Sequence, residues 1–153
     1  ILKKSLNVKK TEELIEKEQG AIPMTCYPFW KKNTKNLVHI GSAGGWTKAS
    51  TGYTFKNATK KSKELVAFLA TENDFRKFHK KTRLWFYDLL LLDILDRKNY
   101  LGSQIFSAMF QKGNPAIIFK FLDEETSFVE DIRVISRCPK TPFLQALGKR
   151  IGI

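Results

Sequence analysis

Residues 37–53 read Leu37-Val38-His39-Ile40-Gly41-Ser42-Ala43-Gly44-Gly45-Trp46-Thr47-Lys48-Ala49-Ser50-Thr51-Gly52-Tyr53. Leu37 to Ile40 is a short apolar run with β-branched residues, which predicts a strand. Four of the chain's nine glycines follow within 12 residues. From Thr54 to Ala70, apolar positions at Phe55, Ala58, Leu65, Val66 and Leu69 recur with a helical period. Strand, glycine-rich turn and helix together aim backbone N–H groups and a helix N-terminus at an anion. Glycine lacks a Cβ, so the backbone can approach a phosphate or a flat ring closely. The spacing Gly41-x-x-Gly44-Gly45 is neither Gly-x-Gly-x-x-Gly nor a Walker loop. From the residues alone, the turn is either a nucleotide or cofactor contact or a purely structural element. His39, inside the apolar run, is expected to be a hydrogen-bonded strand residue.

Upstream, Thr11 to Glu18 predicts a short helix capped by Thr11, with Glu12 and Glu13 in its first turn. Gly20 ends it, and Ala21 to Tyr27 is expected to be extended, interrupted by Pro23 and followed by Pro28. Downstream, Asn73 and Asp74 predict the cap of a helix from Phe75 to about Arg97. Its second half, Leu84 to Leu95, is apolar on nearly every side. Further helices are expected near 100–111, 114–122 and 142–150, the last two from a cap residue placed before Pro115 and Pro142. The expected organisation is a strand-rich first third and an all-helical remainder. It divides at residues 1–71 and 72–153.

The 153 residues carry 27 Lys and Arg against 15 Asp and Glu, a net +12, and 42% are hydrophobic, enough for a real core. Residues 56–83 alone carry nine basic and three acidic groups, half of the net charge. Such a block suits nucleic acid, an anionic membrane or an anionic ligand, or is simply a solvated helix face. The two cysteines, Cys26 and Cys138, are read as reduced thiols of a cytoplasmic protein, and no Cys or His spacing suits zinc. No apolar run reaches the length of a membrane span. The chain opens at Ile1 without Met and is expected to be a fragment.

Three groups of residues resemble one family. Glu18-Gln19-Gly20-Ala21-Ile22-Pro23-Met24-Thr25, then Leu37 to Gly45, then Ser50-Thr51-Gly52-Tyr53, are similar to the C-terminal half of the lycopene cyclases. Arg83-Leu84-Trp85-Phe86-Tyr87 and Cys138-Pro139-Lys140-Thr141-Pro142-Phe143-Leu144 extend the likeness to about residues 10–150. It departs at Lys48-Ala49, where many bacterial members carry His-Pro. The resemblance implies an α/β flavoprotein with a Rossmann-like dinucleotide-binding fold, present here as its C-terminal fragment. It implies FAD held at Gly41, Gly44, Gly45, Thr51, Gly52 and Tyr53, with NAD(P)H as a reductant. It also implies a catalytic role for Glu18 at the reacting end. The implied reaction is a non-redox cyclisation of the ends of lycopene, an acyclic carotene, to a β ring. The fragment alone is expected to be inactive, because the phosphate-binding glycines and the family's catalytic acid would precede Ile1.

Phe121-Leu122-Asp123-Glu124-Glu125-Thr126 nearly spells the family's acidic motif, but it falls about 100 residues too late. Glu124 and Glu125 are therefore expected to be an acidic helix end without a catalytic role. Trp46, Trp85, Phe86 and Tyr87 are expected along the carotene path or in the core. Because carotene resides in bilayers, the basic stretch 56–83 and the apolar stretch 84–95 are expected to dock peripherally on a membrane. Two other readings stay open at this point. One is a related FAD-dependent oxidoreductase or hydroxylase, and the other a non-enzymatic basic module that binds nucleic acid.

Overall fold

A computed structural model describes residues 17, 19–21, 23–79, 81–111 and 113–152. Six α-helices carry the fold among them: α1 Phe55–Leu69, α2 Arg83–Lys98, α3 Leu101–Gln111, α4 Pro115–Leu122, α5 Phe128–Ile135 and α6 Lys140–Ile151. Short 3-10 turns sit at Phe29–Lys32, Gly41–Gly44 and Phe75–Lys77. No strand occurs among the described residues.

This overturns the α/β expectation. Leu37–Ile40 is extended but pairs with no other strand. Leu37 and Ile40 are exposed, so the apolar run buries little and has no sheet to join. His39 is nevertheless hydrogen-bonded as expected, through its backbone N–H to Asn33 Oδ1 at 3.0 Å and its Nδ1 to the same atom at 3.3 Å. The expected helix at 11–18 lies outside the described residues.

The helical remainder forms because each element has a start signal and an apolar face. Thr82 accepts a hydrogen bond from the Trp85 N–H at 3.2 Å and begins α2. The expected helix from Phe75 is therefore shorter: Asp74 caps only a 3-10 turn, and α2 starts at Arg83. Asn114 caps α4 ahead of Pro115 as expected. Ser127 and Glu130 form a capping box on α5, a helix the sequence reading missed. α6 starts at Lys140, two residues earlier than expected, with Pro142 in its first turn where an N–H would go unpaired.

α2 is the central helix, packed against α3 and α6, while α4 bridges α3 and α5. Leu90 and Ile94 of α2, Ile105 and Met109 of α3, Ile118 of α4, Val134 of α5, Ala146 of α6 and Cys138 in the turn before it make one core. Gly102 lets α3 fold back tightly, since a Cβ there would meet Leu95 at 3.0 Å. Arg150 clamps the end of α6 to Asp93 of α2 through two hydrogen bonds of 2.7 Å. Leu84, Leu90 and Ile94 of the 84–95 stretch are buried here and contribute to the core. No helix among the described residues is long and apolar enough to cross a membrane.

α1 stands apart. It makes no broad interface with another helix. Phe68 pins it against the rings of Phe75 and Phe78, at 6.2 and 5.3 Å. Its other anchors are Lys56 to Asp123 and Lys60 to the Glu124 carbonyl.

Candidate ligand cleft

A cleft of about 540 Å³ opens between residues 23–32, the glycine turn, α1, the start of α2 and the loop after α4. Its walls are aromatic: Tyr27, Phe29, Trp30, Trp46 and Trp85 all line it. Trp30 carries His79 stacked flat at 3.7 Å and meets Trp85 edge-on at 6.0 Å. Lys81 lies over the Trp85 ring at 5.1 Å. Burial, then the charges of Lys61 and Lys81, pulls the His79 pKa down to about 4. Its Nε2 is buried without a hydrogen-bond partner among the described residues. Cys26 also lines the cleft, and burial pushes its thiol up to about 12, which makes it a poor nucleophile.

The floor is ionic. Lys48 Nζ donates to Asp88 Oδ1 and Oδ2 at 2.9 and 3.0 Å and to Glu124 Oε1 at 3.3 Å. The side chains of Lys48, Asp88 and Glu124 are 1%, 8% and 26% exposed. One ammonium shared by two carboxylates leaves a formal charge of −1 in a half-closed, low-dielectric site. Glu124, the most open of the three, holds a positive φ of 60°, a strained conformation for a residue with a side chain. The loop is fixed by the fully buried Asp131, which accepts from Arg83 and from the Thr126 hydroxyl, while Arg83 also donates to the Thr126 carbonyl.

The glycine-rich stretch builds this floor. Lys48 N–H donates to the Tyr53 carbonyl at 2.8 Å, and Gly52 N–H donates to the Lys48 carbonyl at 2.9 Å. The 48–53 turn therefore closes on itself and sends the Lys48 side chain inward. Gly45, at φ 70°, lines the cleft, while Thr51 and Tyr53 are exposed. Gly41 and Gly52 also hold positive φ, at 58° and 71°.

These residues do not fit FAD. A Cβ on Gly44 would sit 2.1 Å from the His39 carbonyl oxygen, and one on Gly45 would sit 3.1 Å from the Phe29 ring. The bare faces of both glycines are already filled by this chain, so neither is an open cradle for a phosphate or a flavin. The strand and parallel sheet of a dinucleotide fold are missing from the described residues. The FAD expectation is corrected accordingly and the NAD(P)H expectation with it: of the expected contacts, Gly44 and Gly45 have no open face, while Gly41 and Gly52 meet nothing within 4 Å and Thr51 and Tyr53 are exposed. No group of three or more His, Cys, Asp or Glu among the described residues is placed to hold a metal.

Glu18 lies outside the described residues. Trp46 and Trp85 line the cleft, whereas Phe86 does not and Tyr87 stacks on Phe121 at 6.3 Å. Glu124 and Glu125, set aside on the sequence, both line it. Lys48 and Asp88 were missed. Asp88 is one of two Asp within the apolar run 84–95, and an Asp in such a run is a signal that a charged partner exists. In the basic block 56–83, five of nine cations, Lys56, Lys61, Arg76, Lys77 and Arg83, each meet a carboxylate.

The family model described as lycopene cyclase protein matches residues 3–148, and the chain belongs to that family. No curated protein and no solved structure gives a match.

Proposed function

We propose that the protein acts in carotenoid ring formation as an isomerase-type cyclase, and that this cleft receives the end of an acyclic carotene such as lycopene. The observation behind this reading is an aromatic-walled cleft with the buried pair Lys48 and Asp88 meeting Glu124 at one spot, in a chain of the lycopene-cyclase family. Ring closure of a polyene is balanced internally. A double bond takes a proton, a carbon–carbon bond forms, and a proton leaves from a neighbouring carbon. Two features of the cleft suit that sequence. The formal −1 of the Lys48–Asp88–Glu124 set favours positive charge developing on the polyene beside it, and aromatic walls are of the kind that meets a cation with a π face.

Glu124 is the carboxyl we assign to proton handling, because it is the accessible member of the Lys48–Asp88–Glu124 set. Lys48 and Asp88 hold it in place. Glu18, which the resemblance puts near the reacting end, remains the alternative carboxylate. The test is conversion of lycopene to cyclic products by the protein and its variants. Glu124→Gln is expected to lose roughly 100-fold or more, the scale of a general acid–base group. Full activity in Glu124→Gln alongside a collapse in Glu18→Gln would move the assignment to Glu18.

A further inference from the structure

Helix α4 ends on a carboxylate where helices commonly end on glycine. Glu124 N–H donates to the Phe121 carbonyl at 3.1 Å, and Glu125 N–H donates to the Lys120 carbonyl at 3.0 Å. That pair of bonds is a Schellman cap, and its left-handed position, at φ 60°, belongs to Glu124. A residue with a Cβ is strained there and keeps the conformation only where its surroundings hold it. Two sets of contacts do so. From inside the cleft, Lys48 holds the Glu124 carboxylate. From the other side, α1 holds the backbone, through Lys60 Nζ to the Glu124 carbonyl at 3.4 Å and Lys56 to the Asp123 carboxylate. The Asp123 side chain is only 12% exposed, and Lys56 is its one ion-pair partner among the described residues.

The same helix walls the cleft through Asn57, Lys60, Lys61 and Glu64, and it has little packed behind it. Phe68, against Phe75 and Phe78, anchors its C-terminal end. Ahead of its N-terminal end, Gly52 sits at φ 71° with open space where a Cβ would stand. Between these ends, the two lysine contacts tie α1 to the loop across the cleft. From this we infer that α1 is a hinged wall, latched by Lys56 on Asp123 and Lys60 on the Glu124 carbonyl, and that closing the latch seats the Glu124 carboxyl. Lys56, Lys60 and Asp123 are then positioning residues for Glu124. A movable wall lets a bulky ligand in, and its closure excludes water and completes the site. The seating of a working Glu124 rests on the carotene reading above, whereas the hinged wall does not.

Cys26 lines the same cleft, while Cys138 is buried in the core, so labelling at Cys26 reports the wall without any carotene. The reagent is methyl methanethiosulfonate, small and uncharged, with the modified peptide identified by mass spectrometry. Lys56→Glu is expected to raise the Cys26 labelling rate about threefold or more, by favouring the open wall. The exchanged pair, Lys56→Glu with Asp123→Lys, is expected to return the rate to that of the unaltered protein. In lycopene conversion, Lys56→Glu and Lys60→Met should each lower kcat about tenfold with KM changed less than about twofold, the mark of a displaced reacting group. The exchanged pair should restore kcat. Equal labelling rates in all these proteins overturn the latch, even where Glu124→Gln is inactive. Faster labelling in Lys56→Glu that the exchanged pair does not reverse overturns it too, by showing a general loosening. Reversible labelling beside a fully active Glu124→Gln keeps the hinged wall and removes Glu124 from the reaction, so the two claims fail separately.

Discussion

Replacing Lys48 by Met removes the cation that holds two carboxylates together under the cleft. Asp88 is 8% exposed and receives both short bonds from Lys48, so it is left as a buried charge without a partner. Breaking one side of a buried ion pair costs about 3–5 kcal/mol. Glu124, at 26% exposure, can swing toward water and adds little to that cost. For a domain of this length each kcal/mol moves the melting temperature by about 2–4 °C, which puts the expected fall near 10 °C. Replacing Asp88 by Leu in the same protein removes the orphaned charge, and apolar substitution of a whole buried pair is often neutral or stabilising. The double variant should therefore recover much of the loss. Thermal and urea unfolding of the two single variants, the double variant and the unaltered protein gives the coupling directly. Single effects that add within about 0.5 kcal/mol would show that Lys48 and Asp88 do not interact as the structure has them.

Two further outcomes follow from the cleft's surroundings. His79 stays neutral in the folded protein down to about pH 4, whereas an ordinary histidine protonates near 6.5. Its stabilising contribution is therefore complete above pH 6.5 and is lost as the pH falls toward 4. The full linkage would be about 3 kcal/mol, reduced to about 1–2 because the ring is partly open to solvent. His79→Phe, which keeps the stack on Trp30, should flatten the stability difference between pH 7 and 4.5 by that amount, and an unchanged difference contradicts it. Asp131→Ala, at a fully buried carboxylate bonded to Arg83 and Thr126, should destabilise by about 3–5 kcal/mol. Urea denaturation checks this, and a loss under 1 kcal/mol would count against the clamp.

The helices were legible where pattern and cap agree. The run of Phe55, Leu65 and Leu69 gave α1 to within a residue at each end, and Asn114-Pro115 marked α4. Leu37 to Ile40 misled because a four-residue apolar run carries no period long enough to separate a paired strand from extended chain. Helix α5 carried its signal in Ser127 and Glu130, yet resemblance to an acidic motif drew attention to Glu124 and Glu125 instead. The ionic floor had one local trace, Asp88 inside the apolar run 84–95, and none that named its partners. Lys48 lies 40 positions from Asp88 and 76 from Glu124, so only the packed chain brings them together. The glycines were read as room for a ligand, whereas Gly44 and Gly45 make room for His39 and Phe29.

The central claim is that a carotene end group occupies the cleft lined by Trp30 and Trp85. Equilibrium binding of detergent-solubilised lycopene to the protein, to Trp30→Ala and to Trp85→Ala, followed by co-elution on gel filtration, tests it most directly. Saturable binding that weakens about tenfold or more in each variant is the predicted result. Binding of the same strength in all three proteins would place the carotene elsewhere and contradict the account.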